Sequence, residues 1–500
     1  MMYTITLHGE NRILTAKHGE PLVDVLRKNG VFFSAPCGGK GTCGKCKLKL
    51  LQGAFDGVEA DENGDVLACR ARVQENVTVS LSIGAGTGLN DFLAQQVPGE
   101  KDGLGVALDI GTTTLALCLV NLKTGEILKK TSELNPQAVY GADVLTRIQA
   151  CNDGKLKQLQ TCILDKTREL ITALAFGEEI KELVVSANTT MLHTFLGVSP
   201  KTIGVSPFTP VFTKMQSLRG SRLNLPVETV YVLPSVSGYI GSDISAGVLS
   251  CGVYGQKGTS LFLDIGTNGE IVLAHNGKLY SASTSAGPAF EGACIECGTG
   301  GVNGAVDKVY TNGVELCTHT LGNERAQGVC GSGLVDVVAL MLRENLIDET
   351  GALNEDSESI FSARLVGDRF YLSDSVYVSQ KDIRQVQLAK SAISAGVETL
   401  LAEVGITADK VDKTYLAGGM SYYMNVENAT KIGLIPAKLH KSVQIVGNTA
   451  LAGARLCLLQ ERYKVEIQSI AERMQTVELA DSKTFQERYI ANMYFQEIDD

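Results

Sequence analysis

The sequence predicts a small N-terminal α+β domain followed by a larger α/β domain of two lobes. Two turns of the same pattern, Asp109-Ile-Gly-Thr-Thr-Thr and Asp264-Ile-Gly-Thr-Asn-Gly, each end one apolar strand and lead into another. A pattern repeated in this way indicates an internal duplication, with one copy of an α/β arrangement in each lobe. The segment ahead of both turns has strand-like alternation and a cysteine-rich loop, which indicates a separate unit.

The predicted domain boundaries follow changes in composition along the chain. We expect a first domain at residues 1–84 and a linker rich in glycine and polar residues at 85–103. The two-lobed domain then occupies 104–463, where apolar strands alternate with stretches of helical spacing. Residues 464–500 carry little pattern and are interpreted as a C-terminal tail.

Composition and charge limit the possible partners and the location. The chain has 500 residues, of which 44% are hydrophobic and 20% are charged, as in soluble globular proteins of more than one domain. Its net charge of −10 argues against nucleic acid as a partner, because phosphate binding needs a basic surface. No signal sequence and no apolar run of about 20 residues is visible, so no membrane span is expected. Thirteen cysteines without a signal sequence indicate a reducing cytoplasm rather than a disulfide framework.

Four cysteines in the first domain have the spacing of a metal-cluster site. Cys37, Cys43 and Cys46 form a glycine-rich C-x5-C-x2-C loop, and Cys69 adds a fourth thiolate. Four soft thiolates suit iron, and glycine gives the loop the backbone freedom to wrap around a cluster. The loop is one residue longer than the plant-type spacing and resembles that of vertebrate-type and bacterial 2Fe–2S ferredoxins, which implies a β-grasp fold. The alternative is zinc, although zinc ribbons usually have two C-x2-C pairs.

The other cysteines are interpreted mainly as packed thiols, because they lie among apolar or small residues. They include Cys118, Cys162, Cys251, Cys330 and Cys457. Cys294 and Cys297 have C-x2-C spacing but lack a second such pair. A packed role is therefore favoured for them as well, and a redox or metal role stays the alternative.

The repeated turns are predicted to bind the phosphate groups of a nucleotide. In such a turn, glycine and threonine direct backbone N–H groups and hydroxyls toward phosphate oxygens. An aspartate at the strand end can hold Mg²⁺ through water or orient a water that attacks the terminal phosphate. The candidate residues are Asp109, Gly111, Thr112 and Thr113 in the first turn and Asp264, Gly266, Thr267 and Asn268 in the second. We expect Asp109 to lie near Mg²⁺ and Asp264 to orient the water.

A third element fits a nucleotide site. Strand-like residues 414–417 run into Gly418 and Gly419, where a backbone can approach an adenosine closely. No G-x-x-x-x-G-K-[ST] motif is present, so a P-loop is not the source of the phosphate site. Together with the helix entered at 328–336, these motifs resemble those of the acetate kinase, sugar kinase, heat-shock chaperone and actin superfamily. The resemblance spans 104–463 and implies ATP binding with Mg²⁺.

The combination of the two domains resembles the reductive activators of corrinoid proteins found in anaerobes. Five further segments carry the same resemblance: 135–148, 187–193, 285–292, 381–390 and 446–450. Members reduce cob(II)amide on a methyl-transferring corrinoid protein to cob(I)amide, with hydrolysis of ATP. The resemblance implies a 2Fe–2S cluster, ATP and Mg²⁺ as cofactors, a corrinoid protein and a low-potential electron donor as partners, and a homodimer. Longer members carry another domain where this chain has only 85–103.

Other interpretations stay open on the sequence alone. The chain also fits a small-molecule kinase with a redox-sensing ferredoxin domain, or an electron-transfer adaptor for which nucleotide is only a conformational signal. The loop 287–292 either faces the nucleotide or a partner, or is a structural turn. Asn188 to Thr190 can line a cleft, and His193 is expected to be packed rather than a ligand.

Overall fold

The computed structural model of the chain describes residues 2–8, 12–28, 47–61, 64–80, 93, 95–141, 143–292, 294–479 and 482–495. Three of the four predicted cluster cysteines, Cys37, Cys43 and Cys46, lie outside these residues, as does part of the predicted linker. No helix in the described ranges combines the length and the apolar character that crossing a membrane requires.

In its described residues, the N-terminal domain is a mixed sheet that packs on one helix. Its elements are β1 (Met2–Leu7), β2 (Arg12–Lys17), α1 (Leu22–Lys28), β3 (Lys47–Gln52), β4 (Phe55–Asp56), β5 (Asp65–Leu67), β6 (Arg72–Val73) and β7 (Val77–Ser80). Five strands form a sheet in the order β2-β1-β7-β3-β5, in which β1 and β7 are parallel and the other pairs antiparallel. Leu22, Val25 and Leu26 form the apolar face that α1 buries in the core of this domain. This is the β-grasp arrangement expected from the sequence.

The first lobe is built on a six-stranded sheet. Its elements are β8 (Leu104–Ile110), β9 (Thr114–Asn121), β10 (Ile127–Leu134), α2 (Val144–Ala150), α3 (Leu156–Ala175), β11 (Ile180–Ala187), α4 (Thr189–Leu196), β12 (Gln216–Arg219), β13 (Val227–Val232) and α5 (Ser242–Cys251). The strand order is β10-β9-β8-β11-β13-β12. Strands β8 to β10 pair antiparallel, whereas β11 pairs parallel with both β8 and β13.

The second lobe repeats this arrangement. Its strands are β14 (Thr259–Ile265), β15 (Gly269–His275), β16 (Lys278–Thr284), β17 (Ala305–Thr311), β18 (Leu316–Thr320), β19 (Gly328–Val329), β20 (Leu365–Val366), β21 (Arg369–Tyr371), β22 (Tyr377–Ser379), β23 (Lys413–Ala417), β24 (Val443–Gly447) and β25 (Met474–Thr476). Its helices are α6 (Gly331–Arg343), α7 (Gln380–Glu403), α8 (Val426–Lys431) and α11 (Lys483–Ala491). Two further helices, α9 (Thr449–Leu459), which packs on β8 and β11 of the first lobe, and α10 (Glu461–Arg473), lie between the two main sheets. The main sheet runs β24-β23-β14-β15-β16-β25, with β14 to β16 antiparallel and β23 parallel to β14 and β24. Five strands of each main sheet share one order, β10-β9-β8-β11-β13 and β16-β15-β14-β23-β24, which confirms the predicted duplication.

The strand that ends in the first turn separates two cores. Leu108 and Ile110 of β8 pack on the outer face with residues of α3 and α4. Ala107 packs on the inner face, in a core that also contains residues of α5, α9 and α10. Side chains alternate along a strand, so Asp109 faces the same side as Ala107. The first predicted catalytic carboxylate therefore points toward the central helices.

The strand that ends in the second turn has the same polarity. Leu263 of β14 packs outward with residues of α6 and α7, whereas Phe262 packs inward in the core shared with the central helices. By the same alternation Asp264 faces inward. The two sheets thus enclose one layer of helices, and both predicted carboxylates point into it.

The central helices α5 and α9 pack too closely to accept a further side chain. A Cβ atom on Gly453 would lie 2.2 Å from the carbonyl oxygen of Ala246. Replacing Gly453 by alanine is therefore expected to lower the free energy of unfolding by about 1–3 kcal/mol, measured by urea unfolding. Gly255→Ala is the matched control, because no heavy atom lies within 4 Å of its Cβ position. Equal stability of the two variants would contradict this close packing.

The residues after 463, which we expected to form an unpatterned tail, hold regular structure. Strand β25 pairs parallel with β16, and α11 packs against α7. Lys390 of α7 is buried and donates from Nζ to the carbonyl oxygens of Asn492 (2.6 Å) and Tyr494 (2.7 Å). Burial lowers the pKa of Lys390 to about 8. The C-terminal segment is thus anchored on the second lobe by side chains far away in sequence.

The described part of the predicted linker also packs on the two-lobed domain. The buried guanidinium of Arg455 in α9 donates to the carbonyl oxygens of Leu93 (3.3 Å) and Gln95 (2.9 Å). Lys101 forms an ion pair with Glu182 of the first lobe. Residues 95–103 therefore behave as an extension of the first lobe rather than as a free connection.

Candidate nucleotide site

The two predicted phosphate turns follow equivalent strands and lie beside the N-termini of two central helices. Asp109 and Asp264 are the penultimate residues of β8 and β14. Asn448 precedes α9: its Oδ1 accepts from the N–H of Leu451 (2.7 Å), and its Nδ2 donates to Oδ2 of Asp109 (2.8 Å). Asp243 lies in the first turn of α5. Because helix N-termini favour negative charge, both helices support anionic groups here.

Four carboxylates lie close enough at this point to repel one another. Solvent still reaches parts of the three aspartates, but the protein surrounds them, and this desolvation raises the pKa of Asp109, Asp243 and Asp264 to about 7. Burial likewise raises the pKa of Glu270 well above its ordinary value. Neighbouring negative charges add to each shift, and the hydrogen bond from Asn448 partly opposes it at Asp109. A cation would stabilise such a cluster.

Two buried side chains hold the first turn from behind. Asn135 donates from Nδ2 to the carbonyl oxygen of Gly111 (2.8 Å), and its N–H donates to that of Thr113 (2.8 Å). Arg147 donates from Nη2 to the carbonyl oxygen of Thr112 (2.6 Å). Burial lowers the pKa of Arg147 to about 10, so it stays charged at neutral pH. With its three carbonyl groups engaged, the turn is fixed in one backbone conformation.

The glycine pair after β23 packs against the second turn. Gly418 has φ +99°, and a Cβ atom there would lie 2.5 Å from the carbonyl oxygen of Ile265 and 2.9 Å from Oδ1 of Asp264. Only glycine fits this position. No heavy atom lies within 4 Å of the Cβ position of Gly419. Gly418 therefore supports the phosphate turn, and Gly419 borders the space where we expect the adenosine.

One carboxylate connects the two turns directly. Glu291 accepts a hydrogen bond from the hydroxyl of Thr113 (2.6 Å) and another from the hydroxyl of Thr267 (2.9 Å). The second turn is closed by a hydrogen bond from the N–H of Gly266 to the carbonyl oxygen of Asn268 (3.0 Å). The loop 287–292, whose role the sequence left open, thus reaches both predicted phosphate turns.

Asn188 and His193 lie at the start of α4 and within it. Asn188 caps α4 and donates from Nδ2 to the hydroxyl of Thr112 (3.3 Å), so it does reach the first turn. His193 is buried, with Nδ1 2.7 Å from the carbonyl oxygen of Thr189 and its ring stacked on Phe212. The packed role predicted for His193 is confirmed.

Cys69 is the described member of the predicted cluster set. It lies just after β5, half-buried against the core of the N-terminal domain. Because the other three cysteines lie outside the described residues, the ligand set stays a prediction. The thiols predicted to be packed are buried at Cys118, Cys251, Cys330 and Cys457 and half-buried at Cys162. Cys294 is exposed and Cys297 is half-buried.

Three family models match consecutive parts of the chain. The 2Fe-2S iron-sulfur cluster binding domain matches residues 5–74, which include all four predicted ligands. The RACo middle region matches 104–256, which corresponds to the first lobe. The C-terminal domain of RACo, the ASKHA domain, matches 258–500, which contains the second lobe.

Relatives and a solved structure agree with these matches. The corrinoid activation enzyme RamQ of Eubacterium limosum is 33% identical over 438 residues, covering 82% of this chain and 73% of that protein. The Co(II) methylated amine-specific corrinoid protein reductase of Methanosarcina barkeri is 24% identical over 430 residues, covering 78% of this chain and 77% of that protein. A structure described as the reductive activator for corrinoid,iron-sulfur protein superposes with a TM-score of 0.73 at 26% identity, over 99% of this chain and 98% of that one. The chain therefore belongs to the family of reductive activators of corrinoid proteins.

Proposed function

We propose that this chain is an ATP-dependent activator that reduces cob(II)amide on a corrinoid protein to cob(I)amide in anaerobic methyl transfer. One observation carries the proposal. A chain with a 2Fe–2S binding domain also has two duplicated lobes, whose Asp109 and Asp264 point toward the same central helices. An electron carrier and a nucleotide site in one molecule fit a reduction that ATP drives. The names of the two relatives refer to the activation and the reduction of corrinoid proteins.

The physical need for ATP follows from reduction potentials. Plant-type 2Fe–2S centres lie near about −400 mV, and we expect the cobalt couple to lie lower. For one electron, ~59 mV corresponds to about 1.4 kcal/mol, so a deficit on the order of 100–200 mV is roughly 2–5 kcal/mol. ATP hydrolysis exceeds that deficit. ATP need not touch the electron, because closure of the lobes or release of the partner can trap the product after a rare uphill transfer.

The triphosphate is assigned to the space between the two turns. The assigned contacts are Gly111, Thr112, Thr113, Gly266, Thr267 and Asn268. Gly419 is assigned to the adenosine, and Gly418 supports this site through its packing on the second turn. Asn135 and Arg147 fix the first turn, although neither was predicted as a site residue.

The carboxylate cluster fits a hydrated Mg²⁺. In the part of the chain that the structure describes, no group of three or more His, Cys, Asp or Glu side chains is arranged to ligate a metal directly. The raised pKa values of Asp109, Asp243 and Asp264 indicate negative charge that a divalent cation would balance through its water shell. Bound Mg²⁺ would neutralise charge on the phosphate oxygens. Asp109 is assigned to hold one of its waters.

The 2Fe–2S cluster is assigned to Cys37, Cys43, Cys46 and Cys69. Four thiolates are the donor set that such a cluster requires, and the half-buried Cys69 provides one of them at the edge of the domain core. The bound cluster supplies a one-electron carrier.

A low-potential electron donor, a homodimer, a cytoplasmic location, and the absence of membrane and nucleic-acid partners belong to the same proposal. So do the bounds 1–84 of the ferredoxin domain and the start of the two-lobed domain at 104, whereas the described residues of 464–500 pack with the second lobe.

An anaerobic assay with a corrinoid protein in the cob(II)amide state tests this function. Corrinoid proteins of methylated-amine systems are the first to try. Together with a low-potential reductant and MgATP, the chain is expected to produce the cob(I)amide spectrum, and omission of ATP is expected to abolish it. The kinase alternative predicts phosphorylation of a sugar or a carboxylic acid with no change in the cobalt spectrum. That outcome would overturn the proposal.

A further inference from the structure

Glu291 lies between the two turns that are assigned to the triphosphate. Its Oε1 accepts from the hydroxyl of Thr267 (2.9 Å) and its Oε2 from the hydroxyl of Thr113 (2.6 Å). Thr113 belongs to the first lobe and Thr267 to the second, so a single side chain spans both turns. A group that contacts both turns would lie beside the terminal phosphate of a nucleotide bound between them.

The loop that carries Glu291 is fixed on the second lobe. Ala289 and Phe290 are each only 2% exposed. Gly292 has φ +82°, and a Cβ atom there would lie 2.6 Å from the backbone of Thr299. Glu291 itself is half-buried, which leaves its carboxylate within reach of water. The carboxylate is therefore held by a rigid loop and by two hydroxyls and remains accessible.

The hydrogen bonds to Glu291 leave it able to bind a water. An ionised carboxylate has about four lone-pair positions and donates no hydrogen bond. After two hydroxyl bonds, it can still accept a hydrogen bond from a water beside the phosphate.

Asp264, which we predicted to orient the water, is less suited to that role. Burial and the charges of Asp243 and Glu291 raise its pKa to about 7. Its negative charge belongs to the cluster that a cation would balance. Asp264 is therefore assigned to the cation, whereas Glu291 bridges the two turns.

We propose that Glu291 is the general base of ATP hydrolysis in this chain, an inference that rests on the proposed function. Water attacks the terminal phosphorus, and one of its protons passes to a carboxylate oxygen of Glu291. The bond from that phosphorus to the bridging oxygen of ADP breaks, and its electron pair stays on ADP. The products are ADP and inorganic phosphate, and the proton on Glu291 returns to solvent.

Thr113 and Thr267 act as positioning residues in this step. A hydroxyl has one proton to donate, and each donates it to Glu291. Their side chains therefore orient the base, and the phosphate contacts of the turns come from backbone N–H groups. Because the two threonines lie in different lobes, the base is aligned only when the lobes hold this arrangement.

Glu291→Gln is the decisive variant, because glutamine keeps the shape of the side chain but cannot take up a proton in this way. We expect single-turnover hydrolysis of radiolabelled ATP to slow by about 10²–10⁴-fold. The affinity for ADP, measured by calorimetry, is expected to stay within about threefold, because a base acts in the transition state and not on the bound product. Thr113→Val keeps the backbone N–H that is assigned to the phosphates and removes one hydrogen bond to Glu291. It is expected to slow hydrolysis about tenfold and to leave the affinity for ADP within about threefold.

Glu296→Gln is the matched control, since the Glu296 side chain contacts Tyr377 and Arg369 among the described residues and lies outside both turns. It is expected to hydrolyse ATP like the wild type. Wild-type hydrolysis in Glu291→Gln would overturn the proposal. A parallel loss of ADP affinity would also overturn it, because Glu291 would then be a binding residue. If the wild-type chain hydrolyses no ATP even with its corrinoid partner, the proposed function itself fails.

Discussion

Replacing Cys69 by alanine is expected to abolish ATP-dependent reduction of cob(II)amide and to leave ATP hydrolysis unchanged. A 2Fe–2S cluster with three thiolates lacks a ligand, and its loss removes the one-electron carrier. The assigned nucleotide site lies in the two-lobed domain, outside the domain that contains Cys69. The iron and sulfide content, the visible spectrum and the rate of cob(I)amide formation are measured on anaerobically prepared protein. The rate of ATP hydrolysis is measured on the same preparation.

Cys317→Ala is the matched control for this variant. Cys317 is also half-buried, but it lies on β18 in the second lobe. The control protein is expected to keep its iron, its colour and its activity. Wild-type protein that contains zinc and no iron would support the zinc alternative. A Cys69→Ala protein with full colour and a wild-type rate of reduction would contradict the ligand set of four cysteines.

The paired strands and turns could be predicted because their information is local. An apolar strand, an aspartate and a glycine–threonine turn stand in consecutive residues at Asp109 and again at Asp264. The structure builds the same strand order around both, which confirms the duplication. Strand alternation then determines that both carboxylates face the central helices.

The contacts that fix the site could not be predicted, because they join residues far apart in the chain. Asn448 reaches Asp109, and Arg147 reaches Thr112, from separate elements. The residues that flank an asparagine or an arginine in the sequence do not indicate which carbonyl or carboxylate group it will hydrogen-bond. The same holds for Arg455, whose hydrogen bonds bring a polar segment expected to be a free linker onto the first lobe.

The loop around Glu291 was only partly interpretable from sequence. A proline and two glycines within 287–292 indicate a turn, and a turn with one acid suggests either a structural or a functional role. Which surface it faces depends on Phe290, which is buried in the second lobe and directs the next residue toward Thr113 and Thr267. That burial is a property of the assembled fold and leaves no local pattern.

Replacing Asp264 by asparagine is expected to abolish ATP-dependent cob(I)amide formation and to stabilise the fold at alkaline pH. Loss of a carboxylate that supports the cation and the phosphates is expected to slow the ATP-dependent step by more than about 10²-fold. The effect on stability has a separate origin. Burial and the charges of Asp243 and Glu291 raise the pKa of Asp264 from its ordinary value of 3.8 to about 7 in the folded chain.

The sign of the pH dependence follows from proton binding. Between its unfolded and folded pKa values, Asp264 holds a proton in the folded state that the unfolded chain has released. The free energy of unfolding of the wild type therefore falls as the pH rises through this range and levels off above about 7. Asparagine does not ionise, so the free energy of unfolding of the variant is expected to exceed that of the wild type at pH 8 by on the order of a few kcal/mol. Screening by solvent reduces this difference. Near pH 4 this difference is expected to disappear.

Urea unfolding in EDTA at about pH 8 and about pH 4 measures this difference. Asp356→Asn, which changes an exposed carboxylate of the second lobe, is the control and is expected to match the wild type at both values. A variant of Asp264 that is less stable than the wild type at pH 8, or that still reduces the corrinoid protein, would contradict its place in the charged cluster. Asp264 destabilises the fold between the two lobes, and a role in binding the ligand explains why a carboxylate lies there. MgATP is accordingly expected to raise the stability of the wild type more than that of the variant, since the cation offsets the repulsion that asparagine has already removed.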